Sequence, residues 1–449
     1  MQKKYFNQLI IPSIFFIAIF LRLSIFLVSP PNNSFDDHLE VVNFYATNFS
    51  VPMPQECWEC YQPPLYYFLG AVFLKVSEFF NLGDIAPWKL VQLINPILSV
   101  LSIVLIDRIF KIYSLPLAKR IFYLTLFSIL PIDLLTSSMI GNDYLLVFLS
   151  IVAFYMFLVN MDDLKRLSHL KLLNYSILTF VVLLACFTKQ HGMLLLVFPS
   201  IPLFWHLNLN RIRRFNPAFF VYMLLLIVAF GFELWKFNIS GKFLVSNQDF
   251  YNFADGQFPG QLSKVEFFSF DVVNLFEKPF LSNSTAASLP TEVFARTFFD
   301  YEWRFLNPKN SSTLNLGRFA YFYGIILIMY LIVSFVLSVR LYKSREDRSK
   351  IEYLILLTSI AVGLLFFLVP FLQTLRFPYF SSMKATFALP GIIILLIFHA
   401  LFVDKYQFKN INLFLTGLNL IFGFLLVFAI CEDLPNSINH LSGPMWAIP

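Results

Sequence analysis

Charged residues are scarce in this chain, making up 13% of its 449 residues. A soluble globular domain carries about 25% charged residues, so this composition excludes one. Hydrophobic residues instead account for 58% of the chain, and its mean hydropathy is +0.70. Several apolar runs reach about 20 residues, the length that spans a bilayer core of about 30 Å. The sequence therefore predicts an all-α polytopic membrane protein.

Cysteine is scarce as well, and four residues are too few for a disulfide scaffold. Cys57 and Cys60 form a lone C-x-x-C. A zinc site needs four ligands, and the sequence has no second pair of this kind. Redox chemistry needs a thioredoxin-like βαβ unit, which is absent from the pattern. We therefore predict a local disulfide between Cys57 and Cys60 in an oxidising compartment, and no metal ligands at this pair.

The sequence shows neither the pattern of a cleavable signal peptide nor a basic region of the kind that binds nucleic acid. The first residues lead straight into the apolar run Leu9–Val28 with no small-residue cleavage site. We expect this run to remain as an anchor with its N-terminus inside. The net charge of +6 comes from Lys and Arg clustered in short loops between apolar runs. This is the positive-inside pattern of membrane proteins, and it argues against nucleic acid as a partner.

The basic loops set the predicted topology. The segment Pro64–Phe80 is apolar but interrupted by charges, and counting it as an interfacial helix puts every basic loop inside. The result is a single domain, residues 1–449, of about 11 transmembrane helices with outer-face loops. Its predicted spans include Ala118–Met139, Leu172–Thr188 and Gly192–Leu207.

Two of the predicted outer loops are long. The first covers residues 29–87 and carries juxtamembrane helices. The second covers residues 236–316 and is rich in aromatic residues. A structureless loop of that length would be unusual, so we expect it to fold against the outer membrane face.

Ionisable residues gather at the predicted outer ends of the spans. Such groups are costly near membrane depth and tend to mark function, so their convergence predicts one outward-facing site. The residues are Asp36, Asp37, His38, Glu56, Glu59, Asp143, Lys189, His191, Arg376 and Lys384.

The acidic residues of this set have two interpretations. Asp36 and Asp37 open a predicted helix, and Asp is favoured at N-caps and in first turns. One of the two carboxylates can instead act as a general base towards an acceptor hydroxyl. Asp143 opens a span after Asn142, which can itself be the cap, so a structural and a catalytic interpretation are both open there.

The basic residues also have two interpretations. Long cationic side chains can snorkel to lipid headgroups. They can instead hold a phosphate leaving group, Arg through bidentate geometry and Lys as a point charge. For His191, a hydrogen-bonded interface residue is the favoured interpretation over a metal ligand. The candidates for phosphate binding are Lys189, Arg376 and Lys384.

The stretch Ser34–Gly70 combines an acidic pair just past the first span with the block Gln62-Pro63-Pro64-Leu65-Tyr66-Tyr67. In this it resembles the membrane glycosyltransferases of the GT-C class, above all the branch of protein O-mannosyltransferases and aminoarabinose transferases. The resemblance covers about the first 200 residues best and is weaker at Arg376–Pro390. Two departures are Asp37, where these families often have Glu, and Gln62, where they usually have His or Lys nearby.

The resemblance implies a GT-C-like helix bundle with roles for particular residues. Asp36 corresponds to the catalytic base, and Asp37 and Asp143 are further acidic groups of the catalytic site. The donor phosphate would be held by three cations: Lys189, Arg376 and Lys384. We expect substrate contacts from four residues: Glu59, Gln62, Tyr66 and His191. No cofactor is assigned, and a divalent cation is left open.

The implied activity is that of an inverting glycosyltransferase. Because the outer side of a membrane lacks nucleotide sugars, the implied donor is a polyprenyl-phosphate sugar, and the acceptor is a hydroxyl of a lipid, glycan or protein. The implied location is the bacterial inner membrane, or the endoplasmic reticulum of a eukaryote, with the site on the outer or luminal face.

Two other classes stay open. A polytopic transporter or flippase for a lipid-linked or polar solute would show internal repeats and helices broken at the midplane. A glycan polymerase or ligase would also have a large outer loop, but it should be richer in outer Arg and lack the acidic pair.

Overall fold

The structure is a computed structural model that describes residues 2–81, 86–167, 169–210, 217–250, 263–282, 288–343, 350–403 and 409–437. In these ranges every regular element is an α-helix or a 3-10 helix. Apolar segments take this form because a bilayer offers their backbone groups no other hydrogen-bond partners. The α-helices in chain order are α1 (Gln2–Val28), α2 (His38–Asn48), α3 (Leu65–Phe79), α4 (Ala86–Ile112), α5 (Leu117–Ile129), α6 (Pro131–Ser137), α7 (Asp143–Leu167), α8 (Leu172–Thr188), α9 (Val197–Asn210), α10 (Pro217–Ser240), α11 (Lys264–Phe268), α12 (Val272–Glu277), α13 (Leu289–Phe298), α14 (Ser311–Lys343), α15 (Lys350–Arg376), α16 (Leu389–Phe402) and α17 (Lys409–Ser437).

Eight helices among the described residues are long and apolar enough to cross a membrane. They are α1, α4, α7, α10, α14, α15, α16 with the 3-10 turns before it, and α17. The protein is therefore a multi-pass membrane protein, and the predicted all-α polytopic fold is confirmed.

The predicted number of about 11 spans is not confirmed, because three of those segments take other forms. Ala118–Met139 is broken into α5 and α6, which meet at an angle of 48°. Leu172–Thr188 is the 17-residue α8, roughly 26 Å long and short of a core of about 30 Å. Gly192–Leu207 begins inside the 3-10 helix Gln190–Leu196 and becomes α-helical only from Val197. Counting the bent pair as one span gives up to nine spans in the described part of the chain.

Helix α7, and α16 with the 3-10 turns before it, form the centre of the bundle. In the most apolar 18-residue stretch of each, 78% and 72% of the residues are buried. Around them, α7 packs on α4, α8 and α16, and α1 packs on α4, α5 and α17. Two loop regions cover the end of the bundle where α1 finishes and α7 begins, which we call the site face. There α2 packs on α3, and α3, predicted as an interfacial helix, is a 15-residue helix packed on α4.

The second predicted loop, residues 236–316, also folds onto the site face. Its helix α13 packs on α6, α14 and the 3-10 turn Ala385–Phe387. Residues 251–262 and 283–287 of this loop lie outside the described residues.

Arg22 lies in the middle of α1 and is 1% exposed. A guanidinium group has five N–H donors, and here each of them meets an acceptor. The acceptors are the carboxylate of Asp133 (2.5 Å), the hydroxyl of Ser99, and the carbonyls of Ala18 (3.2 Å), Phe127 (3.2 Å) and Ser128 (2.9 Å).

Pro131 explains why two of those carbonyls need a partner. Proline has no N–H, so the carbonyl of Phe127 loses the bond that residue 131 would donate in a continuous helix. Leu130, restricted by the following proline, takes an extended conformation (φ −52°, ψ 118°) and breaks the span. Arg22 thus caps α5 inside the bundle. Asp133, on the far side of the break, also accepts from Tyr144 of α7 at 2.6 Å.

We expect Arg22→Met to destabilise the protein by about 3–5 kcal/mol, because it leaves the Asp133 carboxylate buried without its counter-ion. The double variant Arg22→Met/Asp133→Asn should recover part of this loss. Lys75→Met is the control, since Lys75 pairs with Glu78 at an exposed position, where a pair contributes at most about 1 kcal/mol. Thermal unfolding in one detergent compares all three, and equal losses for the two single variants would contradict the importance of the network.

Candidate active site

Asp36 and Lys384 form an ion pair between two connections of the site face. Asp36 lies between α1 and α2, and Lys384 lies between α15 and α16, 348 residues away. The Nζ of Lys384 is 2.5 Å from the Oδ2 of Asp36. Burial raises the pKa of Asp36, but the charge of Lys384 offsets this and the pKa settles at about 2. Asp36 is therefore a carboxylate at neutral pH.

Asp143 and Lys189 form a second ion pair beside the first. The Nζ of Lys189 is 2.6 Å from the Oδ1 of Asp143, and the two side chains are 5% and 14% exposed. Asp143 is the first residue of α7, where a carboxylate interacts favourably with the helix dipole. Lys189 follows α8 in an extended conformation and lies over the ring of Phe387, 5.0 Å from its centroid. Two charges of each sign are therefore held together at the site face.

Side-chain hydrogen bonds tie the first loop to the start of α7. The N–H of Gly141 donates to the hydroxyl of Tyr66 at 3.0 Å. The amide of Asn142 donates to the Oε1 of Gln62 (3.3 Å) and to the carbonyl of Thr188 (3.1 Å). Since Thr188 ends α8, one side chain connects the loop, α7 and α8.

His38 has a defined position next to Asp36. Its Nδ1 is 2.8 Å from the hydroxyl of Tyr67. A Cβ on Gly141 would lie 3.2 Å from the His38 ring, so a glycine there lets the imidazole pack against the backbone. Burial lowers the pKa of His38 to about 4. The imidazole is therefore neutral at neutral pH, and Lys384 is the counter-ion of Asp36.

Glu59 is a buried carboxyl group at the edge of the same cluster, 1% exposed. Its oxygens accept hydrogen bonds from the amide of Gln62 (3.0 Å) and from the amide of Asn247 in the long loop (3.2 Å). Burial, and after it the charge of Asp36, raises the pKa of Glu59 to about 8. Glu59 is therefore a neutral acid at pH 7 that joins the two loops.

Asp37, next to Asp36 in the chain, has a structural role at the start of α2. Asp37 is exposed and caps α2 by accepting the N–H of Glu40 at 3.2 Å, which agrees with the capping interpretation. Its catalytic role stays a prediction.

The structure joins Cys57 and Cys60 in a disulfide between α2 and α3.

A polar pocket with a cavity of about 80 Å³ opens beside the ion pairs. Charged, amide and aromatic side chains line it together. From the sequence-predicted set, the pocket is lined by Asp36, Glu59, Gln62, Lys189 and Lys384. The structure therefore brings these five residues, from four different parts of the chain, to one cavity.

The long loop supplies three pocket-lining charges that the sequence analysis missed: Arg296, Glu302 and Arg304. Arg296 pairs with Glu302 and, at 2.8 Å, with Glu292. The loop's length and aromatic content indicated that it folds against the site face. They carried no signal for which of its side chains line the pocket, because that depends on how the loop packs against distant parts of the chain.

A groove of about 300 Å³ adjoins the polar pocket. Gln62, Lys189 and Phe387 line both cavities. Part of the groove wall is apolar and consists of Met193, Leu194, Val369 and Leu372. The charged residues of the polar pocket therefore lie next to the apolar wall of the groove.

Two more of the predicted residues, Arg376 and His191, line this groove. Arg376 forms an ion pair with Asp249 of the long loop, its Nη2 lying 2.8 Å from each carboxylate oxygen. His191 packs edge-on against Phe387, with ring centroids 5.0 Å apart. Their roles in phosphate and substrate binding stay predictions.

The donor set of the site does not fit a divalent cation. In the part of the chain that the structure describes, no group of three or more His, Cys, Asp or Glu side chains can hold a metal ion. The carboxylates of Asp36 and Asp143 are each paired with a lysine, and Glu59 keeps its proton at pH 7. We therefore derive no catalytic step through a metal.

No family model matches the chain, and no curated protein matches it. Among solved structures, the chain is similar to the oligosaccharyltransferase of Archaeoglobus fulgidus in the apo form, with 13% identity, a TM-score of 0.48, and coverage of 97% of this chain and 56% of that one. It is also similar to the archaeal oligosaccharyltransferase AglB from Archaeoglobus fulgidus in complex with an inhibitory peptide and a dolichol-phosphate, with 13% identity, a TM-score of 0.37, and coverage of 97% and 50%.

A third similar structure is ArnT from Cupriavidus metallidurans bound to undecaprenyl phosphate, with 14% identity, a TM-score of 0.33, and coverage of 88% and 77%. These are membrane glycosyltransferases of the GT-C class, the class that the sequence resembles. The chain spans about half the length of the oligosaccharyltransferases it matches. All three TM-scores are below 0.5, so we base the function on the side chains of this chain.

The raised pKa of Glu59 makes stability depend on pH. The folded protein keeps a proton that the unfolded chain, with a pKa of 4.5, loses above that pH. The free energy of unfolding therefore falls as the pH rises from about 4.5 to about 8. We expect Glu59→Gln, which keeps the size of the side chain but cannot ionise, to flatten the fall in Tm over this range.

Glu56→Gln is the matched control for this experiment. Glu56 is three residues away, is exposed, and accepts the N–H of Met53 at 2.7 Å. Its variant should keep the pH dependence of the wild type. Identical Tm profiles for wild type and Glu59→Gln would contradict the raised pKa.

Proposed function

We propose that this protein is an inverting glycosyltransferase that moves a sugar from a polyprenyl-phosphate donor to an acceptor hydroxyl. The observation that carries the proposal is the contact between a candidate base, Asp36, and a candidate phosphate-binding cation, Lys384, at 2.5 Å. The pair lines a polar pocket, and the pocket adjoins a groove with an apolar wall. A donor with an anionic head and a hydrocarbon tail fits this arrangement.

The groove suits the phosphate and the first isoprene units of such a donor. Lys189 lines both cavities, so a phosphate beside it would lie where the polar pocket and the groove meet. The apolar wall of the groove offers contacts to the hydrocarbon chain. Arg376 adds a guanidinium group whose planar fork can take two phosphate oxygens in place of Asp249.

The reaction makes one bond and breaks one bond at the anomeric carbon. The acceptor hydroxyl gives its proton to Asp36 while its oxygen attacks that carbon from the side opposite the phosphate. The bond between the carbon and the phosphate oxygen breaks, and its electron pair leaves with the lipid phosphate. The configuration of the carbon is inverted.

Lys384 couples the two ends of this reaction. In its pair with Asp36 it keeps the pKa of that carboxyl at about 2, which makes a weak base. The donor phosphate competes for the same ammonium group, and its attraction grows as the leaving phosphate gains negative charge. As Lys384 turns towards the phosphate, the pKa of Asp36 rises and the carboxylate becomes a stronger base.

We further propose that the site face is the outer face of a bacterial inner membrane, or the luminal face of the endoplasmic reticulum. The positive-inside rule supports this orientation, since it assigns the short basic loops to the opposite side. The disulfide between Cys57 and Cys60 supports it too, because disulfides persist in oxidising compartments. Mass spectrometry of glycolipids and glycoproteins, with and without the gene, would identify whether the acceptor is a lipid, glycan or protein.

A transporter or flippase is the second candidate function, and one observation favours it. Transporters bind their substrates at broken helices, and α5 and α6 form a broken span. Here, however, all five donors of Arg22 are used by protein groups at the break. Lipid movement across vesicles containing the purified protein, without any sugar transfer, would favour the flippase.

We expect Asp36→Asn to abolish transfer by the purified protein without lowering its Tm by more than a few degrees. The amide has the size of the carboxylate but cannot accept the hydroxyl proton. Asp162→Asn is the control, because Asp162 pairs with Arg166 at an exposed position. Asp37→Asn, measured alongside, separates the two interpretations of Asp37, since Asn caps a helix as well as Asp does. Near-wild-type turnover of Asp36→Asn would rule out Asp36 as the base.

We expect Lys384→Ala and Lys189→Ala each to lower kcat by about 10²–10³, the loss typical of removing one preorganised charge-stabilising donor. The acceptor KM should change less. A short-chain polyprenyl-phosphate sugar serves as donor, and Lys75→Ala is the control for loss of an exposed, paired lysine. If both site variants kept more than about a third of wild-type kcat, far above the expected loss, the phosphate would have to bind elsewhere.

A further inference from the structure

Arg304 of the long loop holds the backbone just before Asp36. Its Nη1 donates to the carbonyl of Ser34 at 2.6 Å, and its Cζ lies 5.2 Å from the centroid of the Phe35 ring. The amide of Asn33 donates in turn to the carbonyl of Arg304 at 3.2 Å. Three consecutive residues of the acidic segment therefore contact one residue 270 positions along the chain.

The turn that carries Arg304 is itself held in several places. Asp300 accepts three backbone N–H groups at 2.7 to 3.1 Å, those of Arg304, Phe305 and Leu306. Trp303 has a φ of 48°, which is uncommon for a bulky residue and persists only where the surroundings hold it. Asp433 of α17 accepts the N–H of Asn307 at 3.0 Å. These contacts hold the backbone around Arg304 in one conformation.

Arg304 contacts the backbone of the acidic segment directly, and its guanidinium charge also interacts with the carboxylate of Asp36. The side chain of Ser34 donates to the carbonyl of Asp36, which carries the constraint two residues further. The Asp36 carboxylate itself pairs with Lys384. Arg304 fixes where the segment lies, and Lys384 fixes which way the carboxylate points.

We propose that Arg304 is a positioning residue for Asp36, setting the direction from which this carboxylate meets the acceptor hydroxyl. The inference rests on the proposed function of Asp36 as the base. A displacement of about 1 Å at a reacting group can cost about 10²-fold in rate. Arginine suits the task because its planar group can donate to a carbonyl and lie on an aromatic ring at the same time. Lysine offers the charge and one donor without that geometry.

Kinetics of three variants test the proposal. We expect Arg304→Ala to lower kcat by at least about tenfold while the donor KM changes by less than about threefold, because the base moves and the phosphate site does not. Arg304→Lys should recover part of kcat. Arg318→Ala is the matched control, since Arg318 also donates to a backbone carbonyl, that of Phe276 at 2.8 Å, but at an exposed position. Arg318→Ala should keep wild-type kcat.

Hydrogen exchange of the backbone amides of residues 33–38 gives a readout that needs no activity. We expect faster exchange there in Arg304→Ala and no change in Arg318→Ala. If Arg304→Ala does not fold, Phe35→Leu removes the ring contact alone and should show the same two effects more weakly.

Two outcomes overturn the proposal. Unchanged exchange would mean that Arg304 does not hold the segment. Faster exchange with unchanged kcat would mean that it holds the segment without positioning a base. A wild-type protein that transfers no sugar is a failure of the proposed function, and the exchange experiment distinguishes that failure from a failure of the Arg304 contact.

Discussion

A guanidinium group in the middle of an apolar helix is stable only if its donors are satisfied, and the packing around Arg22 meets that condition. Each unsatisfied polar group in hydrocarbon costs several kcal/mol. The condition fixes α1, α4, α6 and α7 relative to one another, because Ser99, Asp133 and Tyr144 all join the network. Since α1 leads to Asp36 and α7 begins with Asp143, a network deep in the bundle sets the separation of the two acids at the site face.

At the site face the charged groups are also paired, but there the side chains can exchange one partner for another. A buried ion pair is weak evidence for stability, because well-packed apolar side chains often serve as well. Stability alone therefore does not explain the pairs of Asp36 with Lys384 and of Asp143 with Lys189. Glu59 shows the limit of this arrangement. A third carboxyl beside Asp36, with no cation of its own, keeps its proton instead.

Much of the fold was predictable because its signals are local in sequence, whereas the partners within the site were not. An apolar run of about 20 residues predicts a span, and eight of the predicted spans are helices long enough to cross a membrane. Which lysine meets Asp36 depends on packing that brings Lys384 across 348 residues. Pro131 and Arg22 are both visible in the sequence, and an ionisable residue inside a span marks a special position. That Arg22 caps the helix break made by Pro131 is evident only when α1 lies beside α5. Arg304 lies in the turn between α13 and α14, and nothing local to it indicates its contact with Ser34, 270 positions away.

The polar pocket, at about 80 Å³, is smaller than the adjoining groove of about 300 Å³. Its walls touch through Asn247 and Glu59, and through Gln248 and Ser382 at 3.3 Å. These are hydrogen bonds between uncharged groups, each contributing about 1 kcal/mol, whereas Asp249, the next residue of the loop, is held by its ion pair with Arg376. In a transferase that uses this pocket, parting of these two weak contacts would be a step of each turnover.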